Sequence, residues 1–244
     1  MFKLSPPAAG QTVWTKIILH HFAEGNDGAN PNGDLLLDKS GTLLGTTING
    51  GMFGLGTVFA LTPPTLKHPS WTKTIIHNFE GDATDAHDGS APNGGLVGAV
   101  GQVFGTTQSG GAAIPCCGIV YELAQETAGS PDYTLNILHI FTGGQDGAIP
   151  NAGLFRDASG KNLWGTTIDG GSGSTGSDYG TIFKLTRSEF VDSWTYGVVY
   201  SFNGGPDDGS APISSLTADK TGNLYGTTLG GGASGVGTVY KLTP

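Results

Sequence analysis

Cations are scarce in this sequence. Eleven lysines and arginines stand against twenty aspartates and glutamates, giving a formal charge of −9, and no run of residues is basic. That removes the phosphate attraction that dominates nucleic-acid binding and disfavours anionic membrane surfaces. Long apolar runs are missing too: none approaches the ~20 residues that span a bilayer. The first ten residues lack the basic and apolar regions of a signal peptide and open in the middle of a repeat. A soluble, mature or excised piece is therefore expected. The only two cysteines, Cys116 and Cys117, are adjacent, which excludes an ordinary framework of cross-links. No stretch keeps the i, i+3, i+4, i+7 apolar spacing of a helix beyond a turn or two. G-x-S-x-G, H-E-x-x-H and phosphate-binding loops are absent, and the many Gly-Gly pairs lack the strand-to-helix setting that phosphate cradles need. A carboxylate pair for glycoside hydrolysis is defined by its separation in space, which spacing along the chain does not give.

Glycine, by contrast, is abundant, at 43 of 244 residues, and the 37% apolar fraction recurs in short, evenly spaced runs. Leu224-Tyr225-Gly226-Thr227-Thr228 has three relatives: Leu43-Leu44-Gly45-Thr46-Thr47, Val103-Phe104-Gly105-Thr106-Thr107 and Leu163-Trp164-Gly165-Thr166-Thr167. Their glycines fall at 45, 105, 165 and 226. Such a period marks supersecondary units that bury their apolar faces against one another. The four units run approximately over 1–56, 57–118, 119–180 and 181–244, within one domain of 1–244.

Each unit holds four strand types. Type a covers 34–38, 95–99, 153–157 and 215–219, and a Gly- or Asn-bearing turn leads from it into type b, the Gly-Thr-Thr strand. Glycine-rich loops at 49–56, 108–118, 169–180 and 230–237 precede type c, at 57–63, 119–123, 181–186 and 238–244. A fifth copy of c, containing Met1, Phe2, Lys3 and Leu4, opens the chain. Charge within c and proline at its end predict a place near the sheet periphery. Type d runs from an aromatic residue to a phenylalanine eight positions on: Trp14 to Phe22, Trp71 to Phe79, Tyr133 to Phe141 and Trp194 to Phe202. Four short strands joined as a meander predict an all-β fold, a four-bladed β-propeller. Small residues in b suit a crowded place near its axis. Five c strands against four of each other type leave one surplus: the ring closes with Met1-Phe2-Lys3-Leu4 or with Val239-Tyr240-Lys241-Leu242, and the other is an open edge for a neighbouring copy.

The order Gly-Thr-Val-Phe/Tyr-Lys-Leu-Thr-Pro, Trp…Phe, Asp-Gly-x-x-Pro and Asp-x-x-Gly-Asn-Leu-Tyr-Gly-Thr-Thr resembles the GloVer-type (Gloeo/Verruco) tandem repeat over essentially the whole chain. That family occurs in bacterial surface and secreted proteins with alternative C-terminal anchors. The resemblance implies an exported, propeller-like protein with no known catalytic activity and no active-site residues to carry over. Signal and anchor are not in this sequence, so export rests on the resemblance.

Three groups of residues invite chemistry. Asp27, Asp88, Asp146 and Asp208 each open an Asp-Gly-x-x-Pro motif. With Asn30 or Asn32 they are calcium candidates, but one carboxylate per loop is few for a hard cation, and turn formation is the preferred reading. His20, His77, His139 and Tyr200 share one place in d; three histidines suit zinc only if d strands converge, so repeated packing is preferred. Asp82, Asp85, His87 and Asp88 cluster in the longest d-to-a loop as a candidate metal site, although acidic loops are usually solvated. Cys116 and Cys117 form a vicinal disulfide or stay free, and no neighbouring base makes either a nucleophile. No cofactor is expected. The function expected is a non-enzymatic, extracellular or cell-surface structural or adhesive module that assembles with itself through a terminal strand. The alternatives are a glycan-binding module using Phe53 and Tyr179, or a polysaccharide-cleaving enzyme.

Overall fold

The computed structural model describes residues 1–81, 87–111, 117–127, 129–171 and 178–243. In chain order the strands are β1 (Phe2–Ser5) and β2 (Thr15–Ile18), then, after a single 3-10 turn at Gly25–Asp27, β3 (Leu36–Leu37), β4 (Leu43–Thr47), β5 (Thr57–Thr62) and β6 (Thr72–Asn78). Next come β7 (Val97–Ala99), β8 (Gln102–Thr107), β9 (Ile119–Gln125) and β10 (Tyr133–Ile140), followed by β11 (Phe155–Arg156), β12 (Asn162–Thr167), β13 (Thr181–Arg187) and β14 (Trp194–Ser201). The last are β15 (Gly209–Pro212), β16 (Thr217–Ala218), β17 (Leu224–Gly231) and β18 (Val239–Leu242). The protein is all-β. Three central sheets, β3 to β6, β7 to β10 and β11 to β14, are antiparallel meanders in the order a-b-c-d. The remaining strands form two partial sheets: β1 and β2, of types c and d, and β16, β17 and β18, of types a, b and c, with β15 beside the far end of β17.

The glycine of Gly-Thr-Thr is required by its cross-strand partner. Gly45, Gly105, Gly165 and Gly226 lie opposite Phe59, Tyr121, Phe183 and Tyr240. A Cβ on Gly105 would sit 2.4 Å from the Tyr121 hydroxyl, and one on Gly165 2.4 Å from Phe183 Cζ. The ring on c lies across the gap in b, and the phenylalanine ending d meets it edge-on. The pairs Phe22–Phe59, Phe79–Tyr121, Phe141–Phe183 and Phe202–Tyr240 have centroids 5.3–5.4 Å apart, the geometry aromatic pairs prefer.

In the three central sheets strands b and c are buried on both faces. Because side chains alternate across a strand, each repeat offers one apolar set to the repeat before it and another to the repeat after it. Leu44 and Val58 of the first full sheet pack with Leu96, Val103, Tyr121 and Leu123 of the second. Phe104 and Val120 of the second pack with Leu154, Leu163, Phe183 and Leu185 of the third. Trp164 and Ile182 of the third then pack with Leu216 and Leu224. The segments leading into strands a approach one another closely between repeats: a Cβ on Gly33 would lie 2.7 Å from the Gly94 carbonyl oxygen, and one on Gly94 2.6 Å from that of Ala152. Beside this contact an amide ladder runs from Asn32 to Asn93 (2.7 Å) and from Asn93 to Asn151 (2.5 Å). The hydroxyls of Thr46 and Thr106 donate across the same junction to the carbonyls of Gly94 and Ala152.

Three expectations are revised. Strand c is interior, not peripheral: β5, β9 and β13 are third of four, and d is the outer edge. The charge that suggested an edge is accommodated locally, since Lys184 lies 4.9 Å over the Trp164 ring and Glu122 accepts from Gln102 and Asn136. The room left by the b-strand glycines is filled by the ring on c. Closure by one terminal c strand is not formed either: β1 pairs with β2 and β18 with β17, each within its own partial sheet. Both are held by hairpin partners close in sequence, whose loops are short to close. The accessible surface of 12426 Å² is about a fifth above that of a compact monomer of this mass.

Two substitutions test the packing. Gly165→Ala is expected to lower the free energy of unfolding by about 1–3 kcal/mol through overpacking, measured by urea denaturation. The Tyr121 hydroxyl is buried without a hydrogen-bond partner, and Phe59 and Phe183 fill the same place without one. Tyr121→Phe is therefore expected to raise stability by about 1 kcal/mol, and a loss of stability would contradict this packing.

Candidate functional site

The two repeated polar motifs of the sequence are one structure. In every repeat the aspartate of Asp-Gly-x-x-Pro faces the histidine or tyrosine of strand d. His20 Nε2 is 3.1 Å from both Asp27 carboxylate oxygens, His77 Nε2 is 2.7 Å from Asp88 Oδ2, and His139 Nε2 is 3.2 Å from Asp146 Oδ2. In the fourth repeat the Tyr200 hydroxyl donates to Asp208 Oδ2 at 2.9 Å. The same carboxylates accept backbone N–H groups from the end of d: Ala23 to Asp27, Glu80 and Gly81 to Asp88, Thr142 to Asp146, and Asn203 to Asp208. Each aspartate thus ties the loop leaving d back onto d itself.

Local structure puts these groups in place. The register of d shifts just before the polar residue, between His77 and Ile75, between His139 and Ile137, and between Tyr200 and Val198. Such a bulge re-aims the side chain that follows it. The ring then packs edge-on against the phenylalanine two residues later, at 4.8 Å for each histidine and 5.1 Å for Tyr200. The motif glycine fits against the second threonine of Gly-Thr-Thr: a Cβ on Gly89, Gly147 or Gly209 would lie 2.2–2.5 Å from Thr107, Thr167 or Thr228. That threonine hydroxyl bonds in turn to the first residue of c, at 2.8 Å for Thr47–Thr57, Thr167–Thr181 and Thr228–Thr238.

Electrostatics differ among the copies. Burial pushes the His139 imidazole below its ordinary range, against the charge and hydrogen bond of Asp146. Its ring lies flat on Tyr196 at 3.6 Å. For Asp27, burial opposes ionisation, but hydrogen bonds from Lys73, Ala23 and His20 and the charge of Lys73 outweigh it, so its carboxyl is held below the usual range. Asp219, in the turn between β16 and β17, is also held low, by hydrogen bonds from Asn223 and Thr221.

The zinc reading fails on topology: the histidines stand on d, the outer strand of separate sheets, and do not converge. Of the acidic cluster, Asp82 and Asp85 lie outside the described residues, and Asp88 is engaged by His77 and two backbone N–H groups. Among the described residues no group of three or more His, Cys, Asp or Glu side chains is arranged to hold a metal. Cys117 is buried and disulfide-bonded, and Cys116 lies outside the described residues. Phe53 is exposed, as a sugar platform requires, but Tyr179 is not: it is half-buried in the last apolar cluster, with Gly204 against its ring.

Two features escaped the sequence reading. The fourth residue of Asp-Gly-x-x-Pro has positive φ in all four copies, at Asn30 (57°), Ala91 (54°), Ile149 (57°) and Ala211 (52°). No glycine marks the position. The histidine–aspartate pairing also went unseen, although a separation of seven residues in two repeats and eight in the fourth was a usable signal.

The model of the Gloeobacter/Verrucomicrobia repeat matches residues 1–133 and again 117–244. No curated protein matches the sequence.

Stability should fall on mild acidification. An unfolded histidine takes a proton near pH 6.5, whereas His139 folded takes it only at lower pH. Its contribution is complete above about pH 6.5 and is lost as pH falls through the folded value. The urea midpoint is expected to drop between about pH 7.5 and pH 5.5, and His139→Tyr, the arrangement of the fourth repeat, should shrink that drop. An unchanged drop would contradict this assignment.

Proposed function

Because the chain belongs to the Gloeobacter/Verrucomicrobia repeat family, we propose that it is a non-enzymatic structural module of the bacterial exterior. It is built from propeller blades, and the fourth blade is divided between the two ends of the chain. One observation supports this above the others: the carboxylates, imidazoles and hydroxyls that catalysis or a cation would need recur at equal intervals, engaged in holding loops to strands. A single active site has to break such regularity. The module offers its neighbours shape and sheet edges, and it works as a scaffold.

A second reading rests on Met52 and Phe53, both exposed in the loop between β4 and β5. Apolar side chains beside polar backbone suit stacking on a sugar ring, so glycan adhesion is compatible with the scaffold role. Electron microscopy of the purified chain is expected to show regular end-to-end assemblies. Dispersed particles that release new reducing ends from polysaccharides would overturn the scaffold reading, and dispersed particles that bind a glycan array would favour the adhesive one.

A further inference from the structure

Every internal junction between repeats is built from the same contacts. The backbone N–H groups of Ala91, Ile149 and Ala211 donate to the carbonyls of Leu55, Cys117 and Tyr179 in the repeat before, at 2.9, 3.0 and 2.8 Å. Pro92, Pro150 and Pro212 lie against Gly56, Gly118 and Gly180, where an added Cβ would come within 2.5–2.9 Å of the proline ring. Leu96, Leu154 and Leu216 are then covered, with 5, 3 and 5% exposure.

The fourth set of partners stands open, half at each end of the chain. At the N-terminal end Pro31 is exposed, unlike the buried Pro92, Pro150 and Pro212, and Leu35 is 43% exposed. At the other end Val236 and Val239 are 83 and 80% exposed, and Thr227 is exposed where Thr46, Thr106 and Thr166 are buried. Strands β1 and β2 take the c and d places of a preceding repeat, with Phe22 on Phe59 of β5 as Phe79 is on Tyr121 of β9. Among the described residues none fills its a and b places. A cavity of about 550 Å³ lies there, lined by Phe2, Leu19, Leu35, Leu37, Leu43 and Trp71 among others. What fits beside c and d is an a-b pair, and β16 with β17 is one that lacks a d strand.

Resting on the scaffold reading, we propose that the C-terminal face of one copy docks on the N-terminal face of a second copy in the geometry of the internal junctions. The Asn30 N–H then donates to the carbonyl of Val236, Pro31 sits on Gly237, and β16 and β17 fill the cavity. The blade so formed has a single c place, and two near-identical strands compete for it: Phe2-Lys3-Leu4 in β1 and Tyr240-Lys241-Leu242 in β18. One displaces the other, so assembly proceeds by strand exchange between copies.

Cysteines at the paired positions test the contact, because residues joined by such a hydrogen bond lie within disulfide reach. Mixed under oxidation, the single variants Asn30→Cys and Val236→Cys are expected to give a covalent dimer that neither gives alone. The double variant should give a ladder of multimers. Deleting residues 1–6 or 238–244 alone should leave cross-linking intact, and deleting both should abolish it. A double variant that yields only an internally bridged monomer would overturn the proposal in favour of closure within one molecule. Assemblies that sediment normally but never cross-link would refute this junction while leaving the scaffold reading standing. Loss of cross-linking on either single deletion, with circular dichroism unchanged, would refute strand exchange.

Discussion

Burial of strands b and c on both faces is the constraint from which the rest follows. A sheet such as β7 to β10 cannot stand alone, because Val103, Tyr121 and Leu123 face one neighbour while Phe104 and Val120 face the other. Fully burying a side chain of this kind stabilises by about 1.5–3 kcal/mol, so an uncovered face is costly at several positions at once. Repetition meets that demand at every internal junction. It also concentrates the unmet demand at two places, the outer faces of the first and last repeats.

The polar residues serve the same architecture. The loop from d to a must turn sharply to begin the next repeat, and its backbone N–H groups would be left unsatisfied without the aspartate. That aspartate is held by an imidazole or a phenol, which is aimed by a bulge and braced by a phenylalanine. The chain of dependence runs onward through the motif glycine, the second threonine of Gly-Thr-Thr and the first residue of c. Where Ile119 replaces the threonine at the start of c, the hydroxyl-to-hydroxyl bond is lost, and the Thr107 hydroxyl keeps the two bonds that Thr167 and Thr228 also make, accepting from the N–H that opens c and donating to the carbonyl two residues on, here Ser109. The arrangement tolerates exchange of side chains so long as donors and acceptors are matched, which is why Tyr200 can stand in for histidine.

Much of this was legible from spacing. The Gly-Thr-Thr period located every b strand, and the aromatic-to-phenylalanine rule placed type d at 71–79, where the strand is Thr72–Asn78. The meander order was legible as well, but the interior place of c was not, because Lys184 reads as an edge charge until its contact with Trp164 is seen. Positive φ at Ala91 and Ile149 was hidden, since neither residue type advertises it. The aspartate–histidine bracket and the asparagine ladder join residues through the fold, and a one-dimensional reading treats their members as unrelated. Tyr179, in a variable b-to-c loop, reads as an exposed aromatic, whereas its ring is drawn into the cluster around Trp164 and Phe202.

The central claim, that repeats with two apolar faces leave the ends of this chain wanting a neighbour, is most directly tested by amide hydrogen exchange at several protein concentrations. The amides of β5, β9 and β13 should be slow to exchange throughout, while those of β1, β17 and β18 should exchange fast in dilute solution and become protected as concentration rises. Protection of β1 and β18 that is high and independent of concentration would contradict the account, since the terminal faces would then be covered within a single molecule.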